Sequence, residues 1–222
     1  MTATDPAVVG WTDRDLHAWQ ILRPLLDAGG YLPWSEGAMR PSGLVDVCNE
    51  IVLAKRRRIL ELGSGTSTVL LARLLATCGG TLTAIEHDAG WATWVAGQLA
   101  AEQLQDVARV VHAPLVASPP AVSALPWYAA EPLAQALTGG APDLLIVDGP
   151  PAYRSGDSLA RAPAVPVLLD RLAPDAAVVL DDIERAGEHE VLERWEDASD
   201  LRFERRPESG IAIGRKHARA MA

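Results

Sequence analysis

Acidic residues close three apolar runs in this chain. Glu86 ends the run 81–86, Asp148 ends 143–148, and Asp181 with Asp182 ends 176–182. A fourth run carries Glu61 and passes through Gly63-Ser64-Gly65 into Thr66-Ser67-Thr68, where a helical pattern starts at once. Two glycines allow a sharp turn and a close approach of a ligand to the backbone. Glu86 lies 21 residues after Gly65, where a carboxylate can accept both hydroxyls of a ribose. A cofactor with an adenosine part follows from that placement. Nicotinamide dinucleotides fit poorly, because Thr68 stands at the third glycine position and Glu61 would repel a pyrophosphate. A carboxylate there suits a cofactor bearing a cationic amine, and S-adenosylmethionine carries both an amine and a ribose.

The elements that must position these residues can be read from hydrophobic periodicity. Strands are expected near 59–62, 81–86, 108–112, 143–148 and 176–182, alternating with helices. That alternation means a parallel sheet covered on both faces, whose ligands bind beyond the carboxyl ends of the strands. Gly63, Gly65, Glu86, Asp148, Asp181 and Asp182 are thereby gathered on one rim. Ahead of the glycine turn, Thr12-x-x-Asp15 reads as a capping box opening a helix with Leu16, Trp19, Leu22 and Leu26 on one side. Pro24 should kink that helix and Gly29-Gly30 end it. Ser42 is expected to cap a second helix, and Lys55–Arg58 to favour its C-terminal dipole. Asp88 caps a helix whose Trp91, Trp94, Val95 and Leu99 read as core. Residues 114–140 read as an irregular insert plus a short helix. A helix disturbed by Pro163 and Pro166 is expected near 158–172, and 201–206 with 211–214 as a terminal hairpin.

Composition narrows the classes. The formal charge of −9 argues against a nucleic-acid or anionic-membrane binder. With 49% apolar residues, disorder is not expected. No basic segment followed by an apolar one opens the chain and no apolar run approaches a membrane span, so a cytoplasmic protein is expected, with neither signal peptide nor transmembrane helix. Cys48 and Cys78 read as buried free thiols. Two lysines against 18 arginines hint at a GC-rich bacterial genome.

Glu61-Leu-Gly-Ser-Gly-Thr-Ser, the acids Glu86 and Asp148, and the terminal hairpin together resemble the class I S-adenosylmethionine-dependent methyltransferases over residues 42–215. Val-Asp148-Gly and Leu-Asp181-Asp182 resemble, within that class, the metal-dependent O-methyltransferases of catechol and antibiotic-sugar type. The resemblance implies a Rossmann-like, doubly wound α/β fold with a seven-stranded sheet, mostly parallel with a C-terminal antiparallel hairpin and preceded by N-terminal helices. From its length the chain is expected to form a single domain over 1–222, with N-terminal helices and lid at 1–57, core at 58–215 and a frayed tail at 216–222. Glu61, Gly63, Ser64, Gly65, Thr66, Ser67 and Glu86 would contact S-adenosylmethionine, with His87, His112 and Ala113 near its adenine. Asp148, Asp181 and Asp182 would hold Mg²⁺ or Ca²⁺. For the catalytic base, the residues themselves offer Asp148, Tyr153 or a histidine such as His189.

Methyl transfer to oxygen is a direct displacement, so alignment and activation of a hydroxyl are what the protein must supply. Mg²⁺ favours a few protein oxygens and completes its octahedron with water and substrate. Asp181 and Asp182 also suit the plainer task of capping the next helix. A departure from the family stands after Asp148. Where the catechol enzymes carry a lysine base and the sugar enzymes an acid, this chain has Pro151 and Pro150. The expected partner is a small-molecule acceptor, with a homodimer possible. The expected function is O-methylation of a small-molecule hydroxyl. Alternatives are a metal-independent methyltransferase on another nucleophile, an adenosine-nucleotide oxidoreductase, or a non-catalytic cofactor-binding protein. Residues 31–41, 114–140 and 149–157 should shape the acceptor pocket.

Overall fold

The structure, a computed structural model, describes residues 11–35, 37–118 and 124–216. Two helices lead, α1 (Asp13–Leu26) and α2 (Pro41–Leu53). Then β1 (Arg58–Leu62), α3 (Thr66–Cys78), β2 (Thr81–Glu86), α4 (Ala89–Ala101) and β3 (Ala108–His112) alternate. The insert contributes two short strands, β4 (Leu115–Val116) and β5 (Trp127–Tyr128), and α5 (Ala130–Ala136). β6 (Leu144–Val147), α6 (Ala164–Leu168), β7 (Ala177–Leu180) and α7 (Ala186–Ala198) complete the alternation. β8 (Leu201–Arg206) and β9 (Ile211–Lys216) form the closing hairpin.

The main sheet has seven strands in the order β3-β2-β1-β6-β7-β9-β8. The first five are parallel, and β9 is antiparallel to both β7 and β8. β1 and β6 are adjacent although 81 residues lie between the end of the first and the start of the second, so the strand order reverses between them. That reversal opens the crevice in which doubly wound sheets bind ligands. The strand residues alternate between two cores. Ile59, Leu144 and Ile146 pack with Leu22, Val47, Ile51, Leu71 and Leu99 on one face. Leu60, Leu62, Leu145 and Val147 pack with Leu168, Val191, Leu192 and Trp195 on the other. β6 and β7 are buried along their whole length, as expected for strands covered on both faces. Each such Leu or Val side chain stabilises the fold by roughly 1.5–3 kcal/mol relative to exposure.

Several local expectations hold and several do not. Thr12 and Asp15 form the capping box, with Thr12 N–H donating to Asp15 Oδ2 at 2.9 Å. Leu16, however, is 55% exposed, and α1 runs through Pro24 to stop at Leu26, before the glycines. Ser42 does not cap α2. Arg40 holds that position with Pro41 at the first helical residue, and the Ser42 hydroxyl donates to the buried Asp15 at 2.5 Å, tying α2 to α1. The basic run does not serve the α2 dipole either. Arg56 is buried and pairs with Glu50 at 2.8 Å, while Arg58 starts β1. The helix expected over 158–172 shrinks to α6 followed by a 3₁₀ turn at Leu169–Arg171, because residues 159–163 run through successive turns ahead of Pro163. Cys48 and Cys78 are free thiols but only partly buried. The terminal segment 217–222 lies outside the described residues.

Candidate active site

The register of the parallel strands builds the site. Leu62 pairs with Ile85 on one side and Val147 on the other, and Val147 pairs with Leu180. The next residues out are therefore level across neighbouring strands: Glu86, Gly63, Asp148 and Asp181. Their backbones continue the ladder, with Gly63 N–H donating to Ile85 O, Asp148 N–H to Leu62 O and Asp181 N–H to Val147 O at 2.9–3.1 Å. Glu86 pairs in turn with His112. One row of five residues thus crosses the rim, with neighbouring strands about 5 Å apart.

The β1 turn is shaped by backbone geometry. Gly63 has φ +87°, and a Cβ there would stand 3.0 Å from the Asp148 backbone. Gly65 is extended, and a Cβ on it would meet no atom of the described residues within 4 Å. No contact among the described residues asks for glycine at 65, and the open space in front of it suits a ligand. Thr66, Ser67 and Thr68, hydroxyl residues of a kind that suits a helix cap, do not hold the N-cap of α3. Gly65 takes that position and its N–H donates to Thr68 Oγ1 at 2.9 Å. The Thr66 hydroxyl donates to Pro33 O, and the Ser67 and Thr68 hydroxyls reach back to the two oxygens of Glu61, each at 2.6 Å. Glu61 is fully buried, and burial pushes its carboxyl up to about 7, the Glu86 charge adding to the effect while the two hydroxyls oppose it.

Glu86 is 3% exposed and well supplied with donors. Ser64 N–H and hydroxyl both donate to Oε2 at 3.0 Å, and Asp88 N–H donates to Oε1 at 2.9 Å. His87 Nδ1 lies 2.8 Å from the same Oε1. His112 Nε2 lies 3.1 Å from His87 O, and Ala113 is buried beside them. Trp91 is not core: it is 38% exposed, and its indole N–H donates to Ser64 O at 2.6 Å. It stacks on Trp94 with centroids 4.7 Å apart, so this pair walls the glycine turn.

At the other end of the row, Asp148, Asp181 and Asp182 converge, with ligand oxygens all within 4.8 Å of one another. Asp182 turns into the cluster through φ +62°, a conformation Asp tolerates better than most residues. The group that lets three acids meet was not singled out from the sequence. Arg161, 3% exposed, lies against Asp148 Oδ1 at 3.2 Å and Asp182 Oδ2 at 2.9 Å. Its remaining donors go to the carbonyls of Asp148, Pro150 and Asp181 at 3.0–3.3 Å. Arg185, from the start of α7, stands 2.6 Å from Asp182 Oδ2. Glu188 adds a fourth carboxylate, itself buried, 3.6 Å from Arg161. Four carboxylates face two guanidiniums, so negative charge is in excess. Burial pushes Asp148 up to about 8, with Asp182 and Glu61 adding to it against the pull of Arg161. Asp181 is also raised, by burial and then by Asp148 and Asp182. Burial pushes Glu188 up to about 7.

A family model described as a methyltransferase domain matches residues 60–183, more than half of the chain. The chain belongs to that methyltransferase family. No curated protein matches the chain closely enough to count as a relative. Among solved structures it is similar to cofactor-bound Rv0187 from MTB, with 18% identity, a TM-score of 0.62 and coverage of 95% of this chain and 92% of the other. It is similar to an O-methyltransferase from Bacillus cereus in complex with SAH, at 15% identity, a TM-score of 0.57 and coverage of 95% and 94%. It is also similar to the O-methyltransferase TomG from Streptomyces achromogenes, involved in tomaymycin synthesis and in complex with SAM. That match has 20% identity, a TM-score of 0.57 and coverage of 96% and 93%. These likenesses establish the fold.

The structure brings the methyltransferase's sequence-selected residues to one rim, in two groups that meet where Gly63 neighbours Asp148. What periodicity missed was Arg161, Arg185 and Glu188, none of which lies in a strand-end motif. A signal existed for Arg161, a lone cation between Leu159-Ala160 and Ala162-Pro163. No described helix is long and apolar enough to cross a membrane.

Proposed function

We propose that this methyltransferase uses S-adenosylmethionine to methylate a hydroxyl of a small molecule, assisted by a divalent cation held at Asp148, Asp181 and Asp182. The observation that carries the reading is the single row on which Glu86 and Gly63, at the start of the turn that leads to the open backbone of Gly65, stand beside the acid cluster.

Glu86 accepts the ribose hydroxyls. To do so bidentately it gives up the Ser64 hydroxyl and the His87 ring and keeps the Ser64 and Asp88 N–H groups. Glu61 places negative potential behind the glycine turn, which favours the cofactor's cationic amine, with Ser67 and Thr68 standing between. His87, His112 and Ala113 border the adenine. The acceptor oxygen attacks the cofactor's methyl carbon in line, the carbon–sulfur bond breaks, and S-adenosylhomocysteine leaves. Alignment of the two reactants is the main service the rim performs. Asp148, level with Gly63, is the carboxylate placed to take the acceptor's proton. The donor set fits a hard divalent cation: it is all oxygen, convergent and under-neutralised. When bound, such an ion would lower the pKa of the acceptor hydroxyl.

A metal-independent reading has one observation in its favour, the guanidinium of Arg161 already among the acids. Turnover of a phenol or sugar panel with and without chelator separates the two. Loss of turnover in chelator, restored by Mg²⁺, is expected; full activity in chelator moves the metal-independent reading to first place. Absence of S-adenosylhomocysteine binding by calorimetry would overturn both.

A further inference from the structure

We propose that Arg161 is the positioning residue of the acid cluster, a fixed internal cation that holds Asp148 and Asp182 in their places before any ion or acceptor arrives. This rests on the cluster being the reaction site, as argued above. Three features carry it. Arg161 is more buried than the two aspartates it pairs with, with 3% of its side chain exposed against 15% for Asp148 and 20% for Asp182. The guanidinium therefore lies on the protein side of the cluster and leaves the carboxylates' outward faces available. It is also locked from below, since three backbone carbonyls, those of Asp148, Pro150 and Asp181, accept its other N–H groups. The Asp148 and Asp181 carbonyls directly follow β6 and β7 and Pro150 lies in the loop after β6, so one side chain ties down both strand ends and two of the three acids. Finally, its neighbours are otherwise anionic: Glu188 lies 3.6 Å away, and the only other guanidinium in contact with the cluster among the described residues is that of Arg185.

A counter-ion of this kind has a thermodynamic signature that plain packing lacks. Removing Arg161 leaves the acids to repel one another, so removing an acid then costs less than it does in the wild type. The test is a double-mutant cycle of Arg161→Met with Asp182→Asn, followed by urea unfolding in EDTA. Asn is suited to the positive φ at 182. The two substitutions should couple by at least tenfold in the folding equilibrium, in the direction that Asp182→Asn is better tolerated without Arg161. Additivity of the two would overturn the proposal. Should Arg161→Met not fold, Arg161→Gln takes its place in the same cycle. In turnover, Arg161→Met should lower kcat at least tenfold while changing the dissociation constant of S-adenosylhomocysteine less than threefold, and Arg161→Lys should recover part of kcat. A wild-type kcat in Arg161→Met would overturn the proposal. Coupling in EDTA together with chelator-resistant turnover supports Arg161 and removes the metal from the proposed function, so the two failures are distinguishable.

Discussion

The two halves of the rim are built in opposite ways. At the cofactor half, Glu61 meets Ser67 and Thr68, six and seven residues further on, so the glycine turn is closed within one contiguous stretch that Glu86 and Trp91 then join at Ser64. At the acid half, Asp148, Arg161, Asp182 and Glu188 come from four separate segments spread over 40 residues. A contiguous site is closed by local hydrogen bonds and survives as a motif. A dispersed one depends on strand register and on a buried charge, and leaves no compact motif in the chain. The cofactor half should therefore tolerate damage to the acid half better than the acid half tolerates loss of its cation.

Substitutions at the two glycines offer the strongest way to break that contrast. Gly63→Val should cost the fold about 3 kcal/mol or more, because it combines strained backbone with a Cβ at 3.0 Å from Asp148, the point where the halves meet. Gly65→Val should leave stability nearly unchanged and abolish cofactor binding. Urea melts and calorimetry on both variants decide this, and a Gly65→Val protein that still bound S-adenosylhomocysteine normally would make the turn merely structural.

Glu61 gives a pH test that starts from the cofactor half. Its carboxyl is raised from 4.5 to about 7 in the folded protein, so folding favours the protonated form. Its contribution to stability is complete below about 4.5 and declines as pH rises to about 7, by roughly 3 kcal/mol in all. Glu61→Gln should remove that slope, measured as the difference between wild-type and variant urea midpoints across pH 4–8. An unaltered slope would show that another group carries it.

Smaller effects sharpen the comparison. Glu86→Ala should weaken S-adenosylhomocysteine binding by about 1.5–3 kcal/mol, the scale of hydrogen bonds to a charged group, without altering the acid cluster. Equal affinity in a folded variant would take Glu86 out of the cofactor site. Trp91→Phe removes only the N–H donated to Ser64 O, and should weaken binding by about 1 kcal/mol or less. A larger loss would mean that the indole touches the cofactor itself.

By itself the sequence determined the alternation of elements, the glycine turn and the acids at three strand ends, because period-2 and helical burial patterns and backbone turns are local properties. It also determined the order in which those acids occur along the chain. Only the tertiary structure decided that Gly63 and Asp148 become neighbours, since that follows from β6 pairing with β1 across 81 residues. It decided, too, that the Ser67 and Thr68 hydroxyls donate to Glu61, with Thr68 also accepting from the Gly65 N–H at the helix end, and that Trp91 covers the turn instead of the core. Arg161 is the clearest case. Its charge says nothing about its position until the irregular segment before α6 folds it beneath the strand ends, where burial turns an ordinary arginine into the counter-ion of three aspartates.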